Sequence, residues 1–396
     1  MKHCIAIVLL LCSFNLSAQY LQLSPQAEIS ILTVGPGSNF NDCFGHSAFR
    51  IKDPVANIDL AYNYGMFNTA EPGFYTRFAM GTQDYYLVAY DFSRFLGGYQ
   101  AQNRWIKEQV LNLTRDETQH VFEYLENNRK PENRAYRYDP YFNNCATKMR
   151  DLVVGALGDK ITFDHSHLPE NMSLRDLTDE NSFNHPWWDF GVDIALGTVI
   201  DGSATPAEYM FLPDYVFEAY EHATINRNGQ QIPAVKSSTQ LFESDFYEIR
   251  KESIMPWMVF SIAAVLIILV TYMDYVKNRR SRWLDFILMM LTGLSGLMIV
   301  LLWFATSHKI TPNNLNVLWA FLPNLYVGIL LLRKNPPAWV RSYVRFLVIL
   351  LLATLFIWVL RIQVFSTALF PIMAFLAIRY VFLWRKGLVS DTGHKN

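Results

Sequence analysis

The stretch NNCATKMRDLVVGALGDK, residues 143–160, decides how the polar part of the chain is built. Met149, Leu152, Val153, Ala156 and Leu157 recur at helical spacing, and Gly158 is a natural stop. Asn143 or Asn144 suits the N-cap. Cys145 therefore falls in the first turn, where the positive end of the helix dipole favours a thiolate. Deeper in the helix a cysteine would be inert; at this position it is placed to react.

Upstream, residues 28–110 carry the marks of an antiparallel sheet. EISILTV ends at the turn Gly35-Pro36-Gly37, GHSAFRIKD and IDLAYNYG are short β-prone runs, and QDYYLVAYDF follows a Gly-rich break. Thr114 and Glu117 form a capping box ahead of Val121, Phe122 and Leu125, which predicts a helix. The order is then strand with His46, strand with Asn63, helix with Cys145. That predicts an α+β domain of papain-like type, circularly permuted so that the histidine precedes the cysteine. Asn63 is the first choice for the residue that orients His46; Tyr64 and Tyr62 stay open because strand parity is unknown. An oxyanion hole would draw on the Cys145 backbone N–H with Asn144 or Tyr138.

Blander assignments compete. Of four cysteines only Cys43 and Cys145 lie beyond residue 18, and an oxidising compartment invites a disulfide between them. His165 and His167 in DHSH could bind a metal, but no further ligand cluster supports it and no metal site is expected. Trp187 and Trp188 in HPWWDF suit a packing or membrane-facing anchor. Gly-rich phosphate loops, zinc-finger spacing and basic nucleic-acid stripes do not occur, so no nucleic-acid partner is expected.

The chain has 396 residues, a formal charge of −1 and 51% apolar residues, unevenly spread. Residues 1–18 read as a secretory signal, with a basic start, a short apolar run and a small-residue end. Residues 19–250 read as an exported catalytic domain, 251–384 as a five-helix transmembrane domain and 385–396 as a cytoplasmic tail. The spans are Pro256–Met273, Leu284–Thr306, Leu315–Leu332, Phe346–Phe365 and Ser366–Trp384, each near the ~20 residues that cross a bilayer. Lys277, Arg279, Arg280, Arg282, Arg333, Lys334, Arg341 and Arg345 crowd two loops, while loop 307–314 has only Lys309. The positive-inside rule turns the crowded loops to the cytoplasm, giving a multi-pass inner-membrane protein with its catalytic domain in the periplasm. Arg361 and Arg379 lie about a turn from helix ends, where snorkelling is expected. Arg361, toward the outer face, is also a candidate partner for a lipid phosphate.

The blocks LTVGPGSNFNDCFGHSAFRIKDP, AYNYGMF, NRAYRYDPYFNNCATKMRDL, DFGVDIALGTVIDG and EYMFLPDYV together resemble the periplasmic domain of the Bacteroides-type lipoprotein N-acyltransferases, the Lnb family. TSHKITPNNLNVLWAFLPN resembles that family's transmembrane domain. The resemblance implies a Cys–His site in a permuted papain-like (NlpC-like) domain, mapping onto Cys145 and His46. It implies transfer of an acyl chain from a phospholipid to the α-amino group of a diacylglyceryl-cysteine lipoprotein, with no cofactor. Lys148, Asp139 and Asn143 depart from the family's pattern beside the site.

A polar outer loop with His308, Asn313 and Asn314 fits presentation of two lipid substrates to such a site. The competing functions are a membrane-anchored NlpC-like cysteine peptidase or amidase acting on cell-wall peptides, and a non-catalytic assembly factor.

Overall fold

A computed structural model describes residues 21–40, 42–245 and 253–388. The signal expected over residues 1–18 and most of the tail expected over 385–396 lie outside the described residues. The polar part is built on a seven-stranded antiparallel sheet. In chain order its strands are β1 (Glu28–Val34), β2 (His46–Asp53), β3 (Ile58–Met66), β4 (Asp84–Asp91), β5 (Ile106–Leu111), β6 (Ala135–Arg137) and, far downstream, β10 (Val235–Phe242). Their spatial order is β10-β5-β1-β2-β3-β4-β6. A second sheet joins β7 (Ile161–Thr162), β8 (Thr224–Arg227) and β9 (Gln230–Pro233).

Period-two burial gives the large sheet two apolar faces. Ile29, Ile31, Phe49, Ile51, Tyr62 and Tyr64 face Met149, Leu152 and Val153 of the helix that begins at Cys145. Leu32, Val34, Ala48 and Ala61 face Phe92 and Phe95 on the other side. The helices of this part are α1 (Phe74–Ala79), α2 (Phe92–Ala101), α3 (Arg115–Asn128), α4 (Cys145–Leu157), α5 (Leu174–Ser182), α6 (Pro186–Ala195), α7 (Pro206–Tyr209) and α8 (Pro213–Glu221). Helix α3 starts at the capping box, with Thr114 and Glu117 each bonding the other's backbone N–H. A cysteine-bearing helix packed on strands that carry the histidine and asparagine is the arrangement expected of the permuted papain-like core.

The second part is a bundle of apolar helices: α9 (Pro256–Val276), α10 (Arg282–Phe304), α11 (Asn324–Leu331), α12 (Trp339–Val359) and α13 (Leu369–Phe382). Among the described residues three helices, α9, α10 and α12, are each long and apolar enough to cross a membrane. The third and fifth expected spans are built differently. Residues Leu315–Leu318 form a 3₁₀ turn, and α-helix resumes only after Pro323. That break packs on glycines of α10: a Cβ on Gly296 would overlap the Ala320 carbonyl, and one on Gly293 would lie 2.7 Å from Leu325 N. Asn324 at the break is buried and donates to Thr292 Oγ1 at 2.8 Å. The fifth span is α13 followed by a π-helical turn, Leu383–Gly387.

Arg379 corrects the snorkelling expectation. Its side chain is fully buried, 2.9 Å from Asp274 of α9 and 2.6 Å from Asp285 of α10. Two carboxylates from two helices compensate its charge inside the bundle, so it has no need of water. Arg361 lies past the end of α12, exposed, with φ 55° in the left-handed region typical of a residue just beyond a helix.

The two parts are joined through helix ends. Helix α6 leaves its last carbonyls without intrahelical partners, and the membrane part supplies donors. Asn314 Nδ2 donates to Ile194 O at 2.8 Å, Asn316 Nδ2 to Asp193 O at 3.0 Å, and Gln363 Nε2 to Leu196 O at 3.3 Å. Gly197 N–H donates to Ile310 O at 2.9 Å. A Cβ on Gly197 would overlap the Pro312 carbonyl, so glycine permits the approach.

Two stability outcomes follow. Asn316→Ala leaves buried carbonyls of α6 short of a donor, and should lower stability in detergent by roughly 1–3 kcal/mol. Arg379→Met removes the buried partner shared by two carboxylates, leaving Asp274 to Arg279 and Asp285 to Arg280 at longer range, and should cost about 3 kcal/mol. Thermal unfolding of both variants checks this; unchanged midpoints would mean that solvent reaches these groups.

Candidate active site

The site forms where β2 begins, β3 ends and α4 starts. Helix α4 begins at Cys145 because Asn144 caps it: its Oδ1 accepts from Thr147 N–H at 2.9 Å, while Thr147 Oγ1 accepts from Asn144 N–H at 2.8 Å. Asn144 Nδ2 donates to the Pro140 and Phe211 carbonyls at 2.7 and 2.8 Å. Its side chain is therefore fully engaged in the cap, and it is not free to serve as the expected oxyanion donor.

Register places the other partners. Arg50 pairs with Ala61, so His46 and Asn63 share one face of the sheet, while Tyr62 and Tyr64 share the other. Tyr64 is accordingly buried in the core, its hydroxyl donating to Asn128 Oδ1 at 2.6 Å, which removes it from the substrate side. Tyr62 likewise donates to Glu126. His46 Nε2 lies 2.6 Å from Asn63 Oδ1. Asn63 Nδ2 donates to Tyr90 Oη at 2.9 Å, which turns the amide so that its oxygen meets the ring. His46 Nε2 then carries the proton shared with Asn63, and the other ring nitrogen is left for Cys145.

Cys145 and His46 perturb each other. Burial by itself would raise the thiol, but the His46 charge, its hydrogen bond and the Ser47 and Ala146 backbone N–H groups bring Cys145 below the ordinary value. Burial would depress the imidazole, yet the Cys145 thiolate, the hydrogen bond to it and the bond to Asn63 raise it. Both shifts favour a thiolate–imidazolium pair over the neutral one. Cys43 shows the contrast: buried without a cationic partner, it is pushed up to about 12. Both thiols are free, with Cys43 Sγ donating to the Phe40 carbonyl at 3.1 Å.

Tyr90, Tyr99 and Arg104 escaped the sequence reading. Tyr99 stacks on His46 at 6.1 Å, and Arg104, 3% exposed, sits over the Tyr99 ring at 4.9 Å. Together with Asn63, Arg94 and Met66 they line a cleft of about 520 Å³ beside the histidine. Alternation in β4 could have pointed to Tyr90; Tyr99 and Arg104 reach the site only through the packing of α2.

Tyr138 stands on the opposite side of Cys145. A Cβ on Gly65 would lie 3.8 Å from both the Cys145 Cβ and the Tyr138 ring. Burial, then the Cys145 charge, keeps the Tyr138 phenol protonated, so it is a donor. Tyr138, Asn143, His308, Lys309 and Ile310 line a cavity of about 120 Å³ between this loop and the membrane part. Asn313 lies elsewhere, exposed, its carbonyl accepting from Thr198 N–H at the junction, and Arg361 lines neither cavity. His167 stacks on His222 at 4.3 Å, and no group of three or more metal-ligating side chains occurs among the described residues. Trp187 donates to Ile254 O at 2.9 Å beside α9, whereas Trp188 packs on Phe44.

Residues 19–180 match the family model described as the Lnb N-terminal periplasmic domain, and residues 248–387 match that of the Lnb transmembrane domain. No curated protein and no solved structure matches the chain.

The pair sets a pH signature. With Cys145 lowered and His46 raised, the thiolate persists between the two titrations. Iodoacetamide alkylation of Cys145 should fall less steeply as pH drops from about 8 toward 6 than that of an ordinary thiol of pKa about 8.5, which slows about tenfold per unit. Peptide mapping should find Cys43 unlabelled. Asn63→Ala removes a bond that raises His46, so the profile should move toward that of an ordinary thiol. A rate that tracks an ordinary thiol would dissolve the ion pair.

Proposed function

The chain belongs to the Lnb family of lipoprotein N-acyltransferases, and we propose that it moves an acyl chain from a phospholipid to the α-amino group of a diacylglyceryl-cysteine lipoprotein through a thioester on Cys145. The observation that carries this is a helix-start cysteine, Cys145, with His46 held by Asn63, close to a cavity lined by Tyr138 whose far wall, His308–Ile310, belongs to the membrane part.

The Cys145 thiolate attacks the carbonyl carbon of a phospholipid ester. The tetrahedral oxyanion finds the Ala146 and Ser47 backbone N–H groups and the protonated Tyr138 phenol nearby. As the ester C–O bond breaks, the imidazolium of His46 gives its proton to the leaving alkoxide, releasing a lysophospholipid. Neutral His46, oriented by Asn63, then accepts the proton of the attacking lipoprotein amine. The C–S bond breaks, the amide forms, and the ion pair is restored. Protons and electrons balance within the two side chains, so the cycle needs no metal or organic cofactor.

The membrane is the inner membrane in this reading. The basic loops at Lys277–Arg282 and Arg333–Arg345 lie at the ends of the spanning helices away from the periplasmic domain, which turns them and the C-terminus to the cytoplasm.

Intact-mass measurement after incubation with a defined phospholipid tests the proposal. An acyl adduct that hydroxylamine removes, that Cys145→Ala abolishes and that a diacylated lipopeptide discharges onto its amine is the expected result. His46→Ala should slow adduct formation by about 10²–10⁴-fold. Absence of the adduct, with cleavage of a cell-wall peptide by the same preparation, would replace acyl transfer with the peptidase.

A further inference from the structure

Between β3 and β4 the chain leaves the sheet as MFNTAEPGFYTRFAMGT, residues 66–82, and nothing in the catalytic cycle uses it. Helix α1 lies within it. The segment is unusually apolar for an exposed one: Met66 is 37% exposed, Phe67 49%, Tyr75 73%, Phe78 54% and Met80 42%. Single exposed apolar residues are ordinary, but a cluster of this kind marks an interaction surface.

What covers it is indicated by where it is tied. Met80 O accepts from Ser307 N–H at 2.8 Å, and Ala79 O lies 3.2 Å from His308 Nε2. Ser307 and His308 directly follow α10, a helix long and apolar enough to span, whose last residue Phe304 is 74% exposed. The segment is therefore held where a spanning helix leaves the bilayer on the periplasmic side, the level that aromatic side chains favour. Its Tyr75 and Phe78 lie on α1, which is bonded at its C-terminal end to that exit point.

From there an unbroken series of rings leads to the nucleophile. Phe78 is 6.1 Å from Phe74, Phe74 is 5.6 Å from Phe67, Phe67 is 5.1 Å from Tyr85, and Tyr85 stacks on Tyr138 at 4.2 Å. Tyr138 adjoins Cys145 across Gly65, whose φ of 88° and missing side chain leave that gap open. Phe74 and Tyr85 are buried and form a fixed floor, while Phe67 and Phe78 are open above it.

We propose that residues 66–80 dip into the periplasmic leaflet, and that Phe78, Phe74, Phe67, Tyr85 and Tyr138 form the track along which a phospholipid acyl chain reaches Cys145. The track rests on the acyl-transfer reading; the leaflet contact of residues 66–80 does not. An acyl chain is the ligand that the row fits, because it is long, apolar and lacks groups that would need hydrogen-bond partners along aromatic walls.

The test uses the full chain in vesicles of phosphatidylethanolamine and phosphatidylglycerol doped with a phospholipid carrying a diazirine on its acyl chain. After photolysis, labelled residues are mapped by peptide mass spectrometry in Cys145→Ala, which cannot turn over. Label at Phe67, Tyr75 or Phe78 is expected; label confined to the spanning helices overturns the proposal. Because this variant performs no chemistry, a failure of the acyl-transfer reading would leave such label in place, and acylation of Cys145 in the native chain would not rescue the proposal if the label were missing. In the native background, Phe67→Ala with Phe78→Ala should shift the ratio of long-chain to short-chain donor rates at least tenfold toward the short chain. An equal fall on both donors, the signature of general damage, overturns the track.

Discussion

The end of helix α6 is the constraint on which the rest of the arrangement depends. Its last carbonyls point away from water into the membrane part, and buried amides of Asn314, Asn316 and Gln363 meet them. Hydrogen bonds in such a setting contribute modestly when made and cost far more when one partner is removed. Neither part is therefore complete alone. The sheet domain carries a helix whose end is satisfied by the bundle, and the bundle carries amides whose partners are in the sheet domain. The consequence for chemistry is a fixed height: Cys145, Tyr138 and the outer loop at His308 are held in one frame rather than on a tether.

Within that frame two cysteines behave oppositely. Cys43 faces backbone and a nearby carboxylate, and desolvation dominates. Cys145 meets an imidazole that is itself held by Asn63, and through Asn63 by Tyr90. The partners differ, so one fold holds one thiol protonated and favours the thiolate at the other. Arg104 works against the imidazolium across Tyr99, so the charge on His46 depends on the thiolate being there.

Much of this was legible from short-range pattern. The strands around His46 and Asn63, the capped helix 115–128 and the start of α4 at Cys145 follow from alternation, capping boxes and a glycine stop, all local signals. What escaped was long-range or depended on register. Strand β10 joins the sheet beside β5 from more than a hundred residues downstream, and its polar run VKSSTQLF carries little apolar alternation. Which of Tyr62, Asn63 and Tyr64 faces His46 required the pairing of β2 with β3. Hydropathy found the membrane part but not the break at Pro323, because the side chains that make it tolerable, Gly293 and Gly296, sit on another helix. Asn144, a candidate oxyanion donor by its place beside Cys145, spends both ends of its amide on structure.

The buried arginine of the last helix has a bearing on how such a chain is made. Asp274 and Asp285 sit on the first two spans, and their counter-charge, Arg379, is more than ninety residues later in the final one. During synthesis the first helical pair enters an apolar phase with two carboxylates whose buried guanidinium has not yet been translated. Until it arrives, Arg279 and Arg280 of the loop between the two helices are the cations within reach of those carboxylates. Full charge compensation of these buried carboxylates is thus an event of the chain's last stretch.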